Sequence, residues 1–76
     1  MQKLRKISGK ECVKILCNKF GFKAVRQRGS HVVLRKETPS GPIGTVVARH
    51  KELKISMLKE ILSQAKIEEQ EFAEYQ

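Results

Sequence analysis

Two histidines, two cysteines and a group of arginines are the side chains whose types and spacing could do chemistry. His31 follows directly on Gly29-Ser30 and is flanked in sequence by Arg26, Arg28 and Arg35. An imidazole titrates near pH ~6.5, so it can take or give a proton at neutral pH. A planar guanidinium can grip a phosphate through two parallel hydrogen bonds. Side by side, these groups suit acid–base chemistry on a bound phosphate ester. The imidazole would move the proton, for a gain of about 10²–10⁴-fold. The guanidinium groups would stabilise charge on the crowded phosphorus. The competing role for His31 is structural, as a turn residue whose ring bonds a nearby carbonyl. His50 has three readings: a second acid–base group, a phosphate contact, or a cap for the helix that follows. Lys51 beside it is a further candidate phosphate contact.

Other reactive side chains read as structure. Ser30 has no carboxylate–histidine relay beside it in sequence and belongs to the turn. Cys12 and Cys17 are five apart, about 140° around a helix, so they share neither a disulfide nor a metal without distorting it. Combined with His31 and His50 they match no zinc spacing, and they read as small buried hydrophobes. No metal and no cofactor is expected. The aromatics Phe20, Phe22, Phe72 and Tyr75 fall at helix ends and on apolar stripes, which marks them as core rather than as an RNA-stacking platform.

The elements that must carry these groups fit one domain, taken as residues 1–76 with a core over about 7–75. The formal charge is +8 and the isoelectric point about 9.9. Residues 1–59 hold every basic side chain except Lys66, against Glu11, Glu37 and Glu52 alone. Residues 60–76 carry Glu60, Glu68, Glu69, Glu71 and Glu74. A basic body suits a polyanionic partner. Nucleic acid fits better than a membrane surface, because the lysines are not confined to the polar face of one amphipathic helix. The alternative is that the charge serves solubility alone. No apolar run approaches the ~20 residues a bilayer crossing needs. The N-terminus has no apolar stretch of the kind a signal peptide requires. A reduced chain in the cytoplasm is the expectation.

Ser8 and Glu11 form an S-x-x-E capping box, with Ile7 and Cys12 placed as its hydrophobic staple. Cys12, Val13, Leu16 and Phe20 then recur at helical spacing, and Gly21 stands where a left-handed terminating residue is wanted. Three strands are expected: Phe22 to Arg28, with Val25 breaking the alternation; His31 to Lys36; and Thr45 to Arg49. Gly29-Ser30 is the first turn, and Thr38 to Pro42 reads as a flexible loop holding both prolines. A second helix is expected from Ser56, as its N-cap, to Ala65, with Met57, Leu58, Ile61, Leu62 and Ala65 as its apolar stripe. Residues 67–75 add a short terminal helix with Phe72 and Tyr75 turned inward. The fold class is therefore α+β in the order α-β-β-β-α, a three-stranded antiparallel sheet with two helices on one face. Arg26 and Arg28 share one strand face, and His31 and Arg35 share another. Which of these is the open side of the sheet stays undetermined at this level.

The blocks Gly21-Phe22, Val25-Arg26-Gln27-Arg28-Gly29-Ser30-His31 and His50-Lys51-Glu52-Leu53-Lys54, followed by Leu58-x-x-Ile61-Leu62-x-x-Ala65, resemble the HicA (YcfA-like) toxin family. The opening Ser8-Gly9-Lys10-Glu11 fits as well, so the likeness spans about residues 7 to 75. The resemblance implies a fold similar to a double-stranded-RNA-binding domain. It implies an mRNA interferase, an endoribonuclease of a toxin–antitoxin pair. In that family the histidine of the Gly-Ser-His motif, here His31, carries the activity, and a HicB-type antitoxin covers it. Many members carry a second histidine directly after the first, where this chain has Val32. The alternative function is a non-catalytic basic RNA-binding module on the same sheet, and a third is a docking domain for an acidic protein.

Overall fold

The computed structural model describes residues 3–76, so Met1 and Gln2 of the expected 1–76 domain lie outside the described residues. The first helix, α1, runs Gly9–Lys19 and begins as its capping residues dictate: the Ser8 hydroxyl accepts the Glu11 N–H at 3.0 Å. It ends at Gly21, whose φ of 77° lies in the left-handed region, and the Phe22 N–H returns to the Leu16 carbonyl at 3.1 Å. Gly9 is required for closeness. A methyl group there would overlap the carbonyl oxygen of Ala48 in the third strand, and the Gly9 N–H donates to the His50 carbonyl at 2.8 Å.

The strands β1 (Lys23–Arg28), β2 (His31–Thr38) and β3 (Gly41–Ala48) form an antiparallel sheet in the order β1-β2-β3. Val25, which breaks the alternation in the sequence, sits at a bulge between Ala24 and Arg26 and is left 56% exposed. The second hairpin corrects the expected loop. Only Pro39-Ser40 separates β2 from β3, β2 extends to Thr38, and β3 starts at Gly41 with Pro42 inside it, opposite Glu37. Pro42 is tolerated because β3 is an edge strand, where a missing N–H need not break a ladder bond. The Thr38 hydroxyl ties the turn by donating to the Gly41 carbonyl at 2.6 Å and accepting the Ser40 N–H at 3.2 Å. The third strand ends at Ala48, one residue before the expected Arg49.

The helix α2 (Ile55–Ala65) has its N-cap two residues earlier than expected. Lys54, with no side-chain cap bond, is its N-cap, and Ser56 lies inside the first turn. It ends on Lys66 in the left-handed conformation. A short α3 (Glu69–Ala73) follows, giving the order α-β-β-β-α with one added turn of helix. The helices cover the sheet face that carries Val32, Leu34, Thr45 and Val47, all buried. Cys12, Leu16, Leu53, Leu58, Leu62 and Phe72 complete one apolar cluster. Thr45 is the buried polar member, and its hydroxyl donates to the Gln64 Oε1 at 2.8 Å. Phe72 turns inward as expected, but Tyr75 does not: it lies past the end of α3, 46% exposed, edge-on to Phe20 at 5.5 Å and beneath the Lys19 ammonium.

Candidate functional site

A two-residue hairpin turn sets the residues before and after it directly opposite each other. Gly29 takes φ 58° and meets nothing within 4 Å where a side chain would stand, so conformation rather than space calls for glycine. The turn is braced twice. The Gln27 side-chain amide donates to the Gly29 carbonyl at 3.2 Å, and the Arg49 N–H donates to the Ser30 carbonyl at 2.6 Å. The result is that Arg28 in β1 pairs with His31 in β2, and His31 in turn pairs with Ala48 in β3. Directly opposed side chains have Cβ atoms about 4.5–5.5 Å apart on the same face.

The register settles which face is open. Val32 and Leu34 point into the core, so His31, Val33 and Arg35 point away from it. Arg26 pairs with Val33 and Arg28 with His31, so both arginines lie on that same open face. The two pairs that share faces by sequence spacing are thus brought together in one row, and all four side chains are exposed. Distance then separates them. Arg28 is the cross-strand neighbour of His31, Arg26 lies about 7 Å further along, and Arg35 is about 13 Å away down β2. Arg35 also meets Glu37, with Nε to Oε2 at 2.6 Å and both side chains more than half exposed. Such a pair is worth about 0–1 kcal/mol and does not lock the arginine.

His50 and Lys51 do not join this row. The strand has ended at Ala48, and the chain turns to meet α1, where the His50 carbonyl receives the Gly9 N–H. His50 does not cap α2 either, since Lys54 holds that place. Val32, where many relatives of the resembled family carry a second histidine, faces the core, so that departure leaves the open face unchanged.

Sequence reasoning missed what lies on the other side of His31. A groove of about 270 Å³ is lined by His31, Val46 and Ala48 from the sheet and by Met57, Glu60, Ile61 and Gln64 from α2. The four helix residues fall at i, i+3, i+4 and i+7, so one side of α2 was visible as a stripe. Its apposition to the outer edge of β3 is a long-range contact with no local signal. Glu60, read with the acidic tail, belongs to this groove. Among the described residues no three His, Cys, Asp or Glu side chains gather as a metal site. Cys12 is buried, and burial pushes its thiol from 9.0 up to about 12, which keeps it protonated and unreactive.

Fold and site together define a small basic α+β domain that presents His31 and a row of arginines on the uncovered face of its sheet. The chain belongs to the HicA toxin family: the model of the HicA toxin of bacterial toxin–antitoxin matches residues 9–67. It is accordingly a toxin of a toxin–antitoxin system, with an antitoxin as cognate partner. No curated protein and no solved structure matches the chain significantly. Among the described residues no helix is long and apolar enough to cross a membrane.

Proposed function

We propose that the chain is a metal-independent endoribonuclease that cuts mRNA in the cytoplasm, with His31 as its general acid–base group. The observation that carries this reading is the pairing of an exposed His31 with Arg28 across the Gly29-Ser30 turn. A phosphodiester laid over that pair has its 2′-hydroxyl within reach of the imidazole and its non-bridging oxygens against the guanidinium. The imidazole takes the 2′-proton, the 2′-oxygen bonds to phosphorus, and the bond from phosphorus to the 5′-oxygen breaks. The departing oxygen receives a proton from the imidazolium or from water. The products are a 2′,3′-cyclic phosphate and a 5′-hydroxyl. Arg26 extends the phosphate track, Arg35 holds a more distant phosphate, and His50 and Lys51 lie outside the row.

The same face suits the proposed HicB-type antitoxin. Val46, 44% exposed, and half-buried Val33 give it apolar footing next to His31, and covering the imidazole would shut off cleavage. Expression of the wild type should arrest growth and degrade mRNA, whereas His31→Ala should do neither at matched protein levels. Arrest by both proteins alike would remove the catalytic role. A non-catalytic RNA-binding module predicts equal RNA affinity and no cleavage by either.

A further inference from the structure

His31 sits on the middle strand, and its two flanks differ. Toward β1 stands Arg28, and toward β3 lie Ala48 and the groove against α2. The strands on either side of it are about 10 Å apart, so a phosphate held at Arg28 leaves the attached nucleoside reaching across His31 to that groove. Its apolar lining comes from Val46, Ala48, Met57 and Ile61, which suits the flat face of a base. Glu60 and Gln64 line it as well. Glu60 is acceptor-only when ionised, and Gln64 is fixed by the bond its Oε1 accepts from buried Thr45, leaving its NH₂ to donate.

We infer that this groove is a nucleobase subsite, and that it takes a base with an exocyclic amino group in preference to uracil. Cytosine offers an amino group to the Glu60 carboxylate and the adjacent ring nitrogen to the Gln64 amide. Uracil turns a carbonyl oxygen toward the carboxylate and an N–H toward the amide donor, and both contacts are unfavourable. A carboxylate accepting from the cytosine amino group discriminates between bases by about 1–3 kcal/mol where the geometry is good, a factor of about 5 to 150. The inference rests on the proposed reading of His31 for its place in the reaction, but the base selectivity is measurable without cleavage.

The test is titration of the full chain with cytidine 3′-monophosphate and with uridine 3′-monophosphate, following the methyl resonances of Met57 and Ala48. The cytidine nucleotide should shift both and bind at least about fivefold more tightly. Glu60→Gln, an exposed substitution, should abolish that preference. Equal binding of the two nucleotides overturns the inference, as does a preference that survives Glu60→Gln. Silence of both methyls toward either nucleotide also overturns it and leaves the groove to a side chain of the antitoxin. An intact RNA substrate together with a retained cytidine preference would instead support the subsite and remove only the catalytic role of His31.

Discussion

The two faces of one sheet divide the molecule's work. On the covered face Val32, Leu34 and Val47 are at most 6% exposed and make the core with α1 and α2. On the open face the alternate residues of the same strands, His31, Val33 and Arg35, meet solvent or the groove, with Arg26 and Arg28 beside them. Neighbours in sequence thus serve opposite ends: Val32 holds the fold and His31, one residue earlier, is free for chemistry. A slip of one residue in register would exchange the two sets. The lesson is that an edge-to-centre row of polar groups can be displayed at little cost in stability, provided the strand's other face stays apolar.

That contrast is open to being broken. The largest effect is expected on the covered face. Leu34→Ala should cost about 2–5 kcal/mol, a large share of the ~4–11 kcal/mol available to a chain of this length. Denaturant melts would show it, and any cleavage should fall with the folded fraction. On the open face, Arg28→Ala should lower cleavage about ten- to a hundredfold, the worth of one charge-assisted hydrogen bond of about 1.5–3 kcal/mol. Its melting curve should move by no more than about 0.5 kcal/mol. Arg35→Ala should lower cleavage by about threefold or less, because Arg35 stands four residues from His31 along β2. Equal losses at the two arginines would contradict the geometry.

A smaller effect sharpens the covered face. Burial holds the Cys12 thiol protonated up to about 12, while the thiol of the unfolded chain ionises near 9.0. The unfolded form therefore gains from each rise in pH across that window, and stability should decline between pH 9 and 12. Cys12→Ala, although less stable at neutral pH, should show a shallower alkaline decline. An unchanged slope would place the loss elsewhere.

Much of this division was legible in the residues. The Ser8 cap, the Gly21 terminator and the Gly29-Ser30 turn are local signals, and each formed as its side chains require. The pairing of Arg28 with His31 follows from the same turn. Three features were hidden. The bulge at Val25 decides which face Arg26 and Arg28 occupy relative to the core, and it depends on pairing with β2. Pro42 reads as loop until β3 is known to be an edge strand. Glu60 and Gln64 reach the neighbourhood of His31 only because α2 packs along β3, a contact between segments far apart in the chain.

The central claim is that the imidazole at position 31 moves the proton in RNA cleavage on the open face. Its most direct test incubates purified wild type and His31→Ala with a defined RNA in the presence of EDTA and reads the chemistry of the new ends. The account predicts 5′-hydroxyl and 2′,3′-cyclic phosphate ends from the wild type, none above background from a variant with an unchanged melting curve, and no inhibition by the chelator. Cleavage by the folded variant at the wild-type rate, or 5′-phosphate ends that vanish with EDTA, would contradict it.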